Sequence, residues 1–79
     1  MFTPKKSEIT KAVKAVEKKL GHRCEVTGYT YKRETDPLLE DSFVEFQFEV
    51  CDLNGHYAAT AYLQAFLPDR RRSWVSYVA

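Results

Sequence analysis

The sequence predicts an α+β fold: an N-terminal helix packed on a four-stranded antiparallel meander sheet, a two-layer sandwich in the order α-β-β-β-β. Three observations predict it. Apolar residues recur at helical spacing between Ile9 and Leu20. Asn54-Gly55 stands between two runs of alternating polarity, the pattern of a tight hairpin. Two further stretches rich in β-formers flank that hairpin, before and after it. A chain of 79 residues makes one domain, 1–79, near the size at which folding hides only about 60% of the surface the unfolded chain exposes.

Thr3-Pro4 reads as an N-cap followed by proline at the first helical position, where the missing N–H costs nothing, and Ser7 is a second possible start. The helix then runs to Leu20. Ile9, Val13, Val16 and Leu20 form one stripe that Ala12 and Ala15 widen, with Lys11, Lys14 and Lys18 turned outward. Gly21 supplies a left-handed residue to stop it.

Cys24 to Arg33 reads as the first strand, but its apolar parity changes: Cys24 and Val26 share one face, Tyr29 and Tyr31 the other. A β-bulge at Gly28 would bring all four to the core side. Glu34 to Asp41 is an acidic loop broken by Pro37, with Leu38 and Leu39 as its apolar tip. Phe43–Cys51 and His56–Leu67 form the central hairpin around a type I′ turn at Asn54-Gly55. That turn sets Val50 opposite Ala59, Phe48 opposite Ala61, Phe46 opposite Leu63 and Val44 opposite Ala65 on the helix side. Glu49/Thr60, Gln47/Tyr62 and Glu45/Gln64 then pair on the outer side, with Phe43/Phe66 at its far end. Pro68-Asp69 begins a turn, and Ser73–Val78 is a last strand on which simple alternation puts Trp74 and Tyr77 on opposite faces.

Net charge is only +1, but it is segregated along the chain. Residues 1–23 hold seven Lys/Arg against Glu8 and Glu17, a net +5; residues 24–69 hold two against nine acids, a net −7; Arg70, Arg71 and Arg72 add +3. The expected molecule is dipolar, with a basic helix and an acidic sheet. Met1 to Leu20 carries six lysines and no apolar run long enough for a leader or a membrane span, so the expectation is a soluble, cytoplasmic protein with no membrane partner. Two cysteines are too few for a disulfide framework and suit a reducing compartment.

The helix-then-meander layout resembles that of cystatin-like and PepSY-like domains over most of the chain, on element order. The Gln-x-Val-x-Gly hairpin loop of cystatins is absent, since this hairpin reads Asp52-Leu53-Asn54-Gly55, so no activity accompanies the resemblance. His22, Cys24, Cys51 and His56 are zinc-ligand types, but His-x-Cys with Cys-x4-His is not a zinc spacing, and no metal or other cofactor is expected. Cys24 is expected inside and Cys51 half-exposed on the other face. No Gly-x-Ser-x-Gly or phosphate-binding loop is present, and a Cys51/His56 pair beside the turn would open on a shallow cleft, so no enzyme activity is expected.

Two binding functions remain. The leading expectation is a non-catalytic protein-binding module, an inhibitor or adaptor of the compact kind that phages and mobile elements encode, anti-CRISPR-type inhibitors among them. Its surfaces would be the outer sheet face (Phe43, Glu45, Glu49, Tyr62, Phe66), an edge strand, or the acidic loop with Leu38 and Leu39, and its partner a protein with a basic surface or a second copy of this chain. The alternative is a nucleic-acid-binding accessory protein that uses Lys11, Lys14, Lys18, Arg70, Arg71 and Arg72.

Overall fold

Alternating apolar and polar side chains split the sheet into a face that needs cover and a face that does not. The computed structural model describes residues 1–36, 38 and 41–79. Helix α1 (Lys6–Leu20) covers one face of a sheet formed by β1 (Cys24–Asp36), β2 (Asp41–Asp52), β3 (Tyr57–Phe66) and β4 (Ser73–Val78). The strands lie side by side in chain order, each antiparallel to the next, as the sequence predicts. Phe46 and Phe48 stack at 5.6 Å under the helix, beside fully buried Val44, Val50 and Leu63. Ala59, Ala61 and Ala65 of β3 leave room for Ala12 and Val16 of α1 to approach. Burying a phenylalanine side chain contributes about 1.5–3 kcal/mol, so the two stacked rings are a large share of what a small core can supply.

The expected pairing of β2 with β3 is present from Val50/Ala59 to Phe43/Phe66, but the turn that joins them is not type I′. Asn54 has no positive φ; Gly55 alone does, at 84°, and its N–H donates to the Asp52 carbonyl at 3.0 Å. The loop is therefore three residues, Leu53 to Gly55, closed by the Asp52 N–H donating to the His56 carbonyl at 2.9 Å. The Asp52 carboxylate is the reason: its Oδ1 accepts the N–H groups of Asn54 (2.9 Å) and His56 (3.0 Å), which favours this turn. One extra residue in β3, Ala58, then restores the register, because Cys51 pairs with Tyr57 while Val50 pairs with Ala59.

The bulge expected near Gly28 is also present. Val26 pairs with Val50 and Gly28 with Glu49, leaving Thr27 as the extra residue. Tyr29 and Tyr31 consequently meet Phe46 on the helix side, both at 6.2 Å, and Phe2 packs edge-on against Tyr31. β1 continues to Asp36, three residues beyond the expected end, and β2 starts at Asp41. Half of the expected acidic loop, residues 34–36 and 41, is thus strand.

Helix α1 starts between the two expected positions. Lys5 is its N-cap, and the Glu8 carboxylate accepts the Lys5 N–H at 2.7 Å, satisfying a donor that neither Thr3 nor Ser7 caps. The buried line is Glu8, Ala12 and Val16, with Ile9 and Val13 half-buried beside it, and Leu20 at the helix end is exposed. The stripe is rotated from the expected one because Glu8 is fully buried. Its Oε2 lies 3.2 Å from Arg70 Nε, an ion pair that falls short of hydrogen-bond geometry and is held by charge. Arg70, at φ 57°, also donates to the Thr3 carbonyl at 2.8 Å and lays its guanidinium over the rings of Phe2 and Phe46. At the other end Gly21, at φ 79°, closes the helix, and the Glu17 carboxylate accepts the Cys24 N–H at 3.0 Å. Both helix glutamates therefore fasten α1 to the sheet.

Removing one member of a buried ion pair strands the other charge, which costs about 3–5 kcal/mol. Glu8→Gln keeps an acceptor for Lys5 and removes only the charge; it is expected to destabilise by roughly that amount, and Arg70→Met on the same background to restore most of it. Denaturant unfolding measures both. Equal losses in the single and double variants would assign the cost to packing.

Candidate functional site: the outer sheet face

With α1 on one side, no helix among the described residues covers the other side of the sheet. β2 presents Glu45, Gln47 and Glu49 there, opposite Gln64, Tyr62 and Thr60 of β3, with Phe43 opposite Phe66 at the far end. β4 departs from the expectation. Tyr62 pairs with Tyr77 and Leu63 with Val75, so Ser76 is an extra residue, and its hydroxyl donates to the Tyr62 carbonyl at 3.3 Å. That bulge turns Trp74 and Tyr77 to the same, outer face, while Val75 and Val78 pack on the core. The expected placement on opposite faces is wrong because alternation across Ser76 is broken.

The outer face consequently carries two groups of rings, one of Phe43, Phe66 and Trp74 and one of Tyr62 and Tyr77. Phe43 meets Phe66 edge-on at 6.3 Å, Phe66 meets Trp74 at 5.0 Å, and Tyr62 meets Tyr77 at 6.0 Å. Arg72 covers Phe66 from outside, its guanidinium 4.6 Å from the ring centre. Phe43 and Phe66, expected to face solvent, are half-buried by these contacts, whereas Trp74 is 42% and Tyr77 63% exposed. Trp74 and Tyr77 join the candidate face only through this bulge; in the sequence the signal is no more than the spacing of Val75 and Val78, which both fit the core side if one residue bulges.

Beside the rings lie the carboxylates. Glu45 is 3.8 Å from Lys32 and accepts from Gln64 Nε2 at 3.4 Å. Lys32 also meets Glu34 at 2.9 Å, and that hydrogen bond, with the charges of Glu34 and Glu45, holds its ammonium pKa above the ordinary lysine value. Glu49 accepts from Thr27 Oγ1 at 3.1 Å, and among the described residues no cation lies within ion-pair distance of it. Two open hollows, of about 250 and 170 Å³, lie between the strands and share Thr30 and Gln47; Glu49 borders the larger and Glu45 the smaller.

The other nominated residues are dispersed. Leu38 is 92% exposed, not folded back over the core, and Leu39 lies outside the described residues. Among the six nominated cations, Lys14 and Lys18 are exposed on the helix, on the far side of the sheet from the rings. Lys11 donates to the carbonyl and hydroxyl of Ser73, both at 2.8 Å, and Lys19 donates to the Val78 carbonyl, so helix lysines occupy the outward carbonyls of edge strand β4. Arg70 is buried against Glu8, Arg71 pairs with Asp69 at 3.2 Å, and Arg72 lies over Phe66.

The histidines and cysteines do not converge. His22 Nδ1 contacts Cys24 Sγ at 3.6 Å, but Cys51 lies beside Thr27 Oγ1 at 3.3 Å and His56 faces Asp52 at 3.7 Å rather than Cys51. Cys51, expected half-exposed, is buried. Both thiols are free, and among the described residues no group of three or more His, Cys, Asp or Glu is placed to hold a metal ion. Burial raises the Cys24 thiol pKa, and the charges of Glu17, Asp52 and Cys51 raise it further, so the His22 contact does not make a ready thiolate. Among the described residues no helix is long and apolar enough to cross a membrane.

Asp52 has the clearest acid-side consequence. The His56 N–H lowers its pKa most; partial burial opposes this, and the Asn54 N–H and the charges of His56 and His22 add to the lowering. A carboxyl depressed in the folded state contributes stability that is complete above the unfolded value, about 3.9, and is lost as pH falls through the lower folded value. Asp52→Asn keeps an acceptor for the turn and should flatten this part of the acid unfolding profile; an Asp52 carboxyl that titrates by NMR at the ordinary value would contradict the assignment.

No protein-family model, curated protein or solved structure matches this chain.

Proposed function

We propose that this protein is a non-catalytic protein-binding module, an inhibitor or adaptor, that docks a partner with a basic surface on the outer face of its sheet. The observation that carries the reading is the placement of Trp74 and Tyr77, exposed and on the same face, each in contact with a neighbouring ring, on the face that also carries Glu45 and Glu49. Aromatic anchors within a polar rim are what protein interfaces use, and the carboxylates would steer a basic partner toward them. The nucleic-acid alternative has less support. Stacked bases would need several cations beside the rings, and of the six only Arg72 lies there, over Phe66; Lys14 and Lys18 lie across the sheet, and Lys11, Arg70 and Arg71 are bonded within the chain.

Trp74→Ser combined with Tyr77→Ser should keep a cooperative unfolding transition and lose the partner, each truncation weakening binding by about 2 kcal/mol, or roughly 30-fold. Lys14→Glu with Arg71→Glu should keep it. The measurement is retention of host proteins on the immobilised chain, with size in solution to detect a second copy as the partner. Retention by the aromatic double variant would sink the reading. Loss with the charge-reversal variant and a steep fall in binding with salt would instead select nucleic acid.

A further inference from the structure

Gly28 lies inside β1 although neither its backbone nor its surroundings require glycine. Its φ is outside the left-handed region, and a Cβ added there would meet no atom within 4 Å. Glycine within a strand forfeits packing and costs stability relative to a residue with a side chain. Its visible consequence is the larger hollow on the outer face, about 250 Å³, bordered by Gly28, Thr30, Gln47, Glu49 and Thr60.

We infer that this hollow seats an arginine side chain carried by an extended segment of a protein partner. The inference rests on reading the outer face as a protein-docking surface and narrows that surface to one contact. Charge complementarity selects the occupant. Glu45, at the smaller hollow, is already met by Lys32 and Gln64, whereas Glu49 is bonded only by the Thr27 hydroxyl among the described residues. Of the two carboxylates that border the hollows, the one left for a partner to neutralise is therefore Glu49, opposite Gly28. A guanidinium offers five N–H donors in one plane: the Glu49 carboxylate accepts two, and the Gln47 carbonyl and the Thr30 and Thr60 hydroxyls border the space that the others would occupy. The Tyr57 hydroxyl, 2.7 Å from Thr60 Oγ1, sets a tyrosine at the rim beside which the arginine methylenes would lie.

The test titrates isotope-labelled protein with the capped tripeptide acetyl-Thr-Arg-Thr-amide and with its citrulline counterpart, which keeps the shape and loses the charge. The arginine peptide should give saturable amide shifts centred on Gly28, Thr30, Gln47, Glu49 and Thr60; the citrulline peptide, and the arginine peptide with Glu49→Gln, should bind more weakly by about tenfold. Gly28→Val is the decisive variant. The position is open and valine is a good strand former, so the melting temperature should hold or rise while the shifts vanish. Equal binding of the two peptides, shifts centred elsewhere, or shifts that survive in Gly28→Val would overturn the assignment, and so would a lower melting temperature, since the fold would then need the glycine. If a captured partner is lost with Trp74→Ser/Tyr77→Ser but kept by Gly28→Val, the docking face stands and this seat falls; if neither variant loses it, both fall.

Discussion

Side chains alternate across a strand with a period of two, so one extra residue exchanges the faces of everything beyond it. Each of the three ladders in this sheet contains one such residue, Thr27, Ala58 and Ser76. Thr27 brings Tyr29 and Tyr31 to the helix side, Ala58 reconciles a three-residue loop with the phenylalanine register, and Ser76 lets Val75 and Val78 both reach the core. The same shift at Ser76 sends Trp74 and Tyr77 outward together. Core and candidate interface are thus two results of one constraint: the valines cannot both be buried without placing the two aromatics on the open face.

The helix is seated by charge as well as by apolar contact. Its two glutamates do this: buried Glu8 caps the first turn and faces Arg70, and half-buried Glu17 holds the first N–H of β1. Arg70 gathers the N-terminal segment, the helix start and the β3–β4 turn around Phe46, at the cost of a left-handed backbone conformation for a residue with a full side chain. Helix lysines meanwhile reach the carbonyls at the edge of β4. Much of the basic charge that a sequence count assigns to a partner is therefore spent within the fold, which weakens the case for nucleic acid without any change in composition.

The proposed docking surface is the outer face, where rings, carboxylates and two open hollows lie together. An aromatic surface of this kind supplies apolar contact area at small conformational cost, and the neighbouring glutamates bias it toward cations. Burial and the raised pKa of the Cys24 thiol, and the distance of His56 from Cys51, keep the two cysteines and two histidines from forming one site.

The element order, the strand pairing around residues 44–50 and the bulge near Gly28 were legible in the sequence, because each follows from local turn chemistry or from the cost of exposing phenylalanine and burying glutamate. Glu45, Glu49 and Tyr62 could be assigned to the outer face for the same reason. The turn type was not legible: Asn54-Gly55 fits two hairpin geometries, and the Asp52 carboxylate selects between them. Nor were the burial of Glu8 or the common face of Trp74 and Tyr77, since each depends on a partner distant in sequence, Arg70 in one case and the apolar core under β4 in the other. By itself the sequence determined the architecture and the inward face of the central hairpin through alternation and turn residues. Only the tertiary structure decided which charges are consumed inside the molecule and which aromatics face outward, because both are settled by contacts between elements rather than within them.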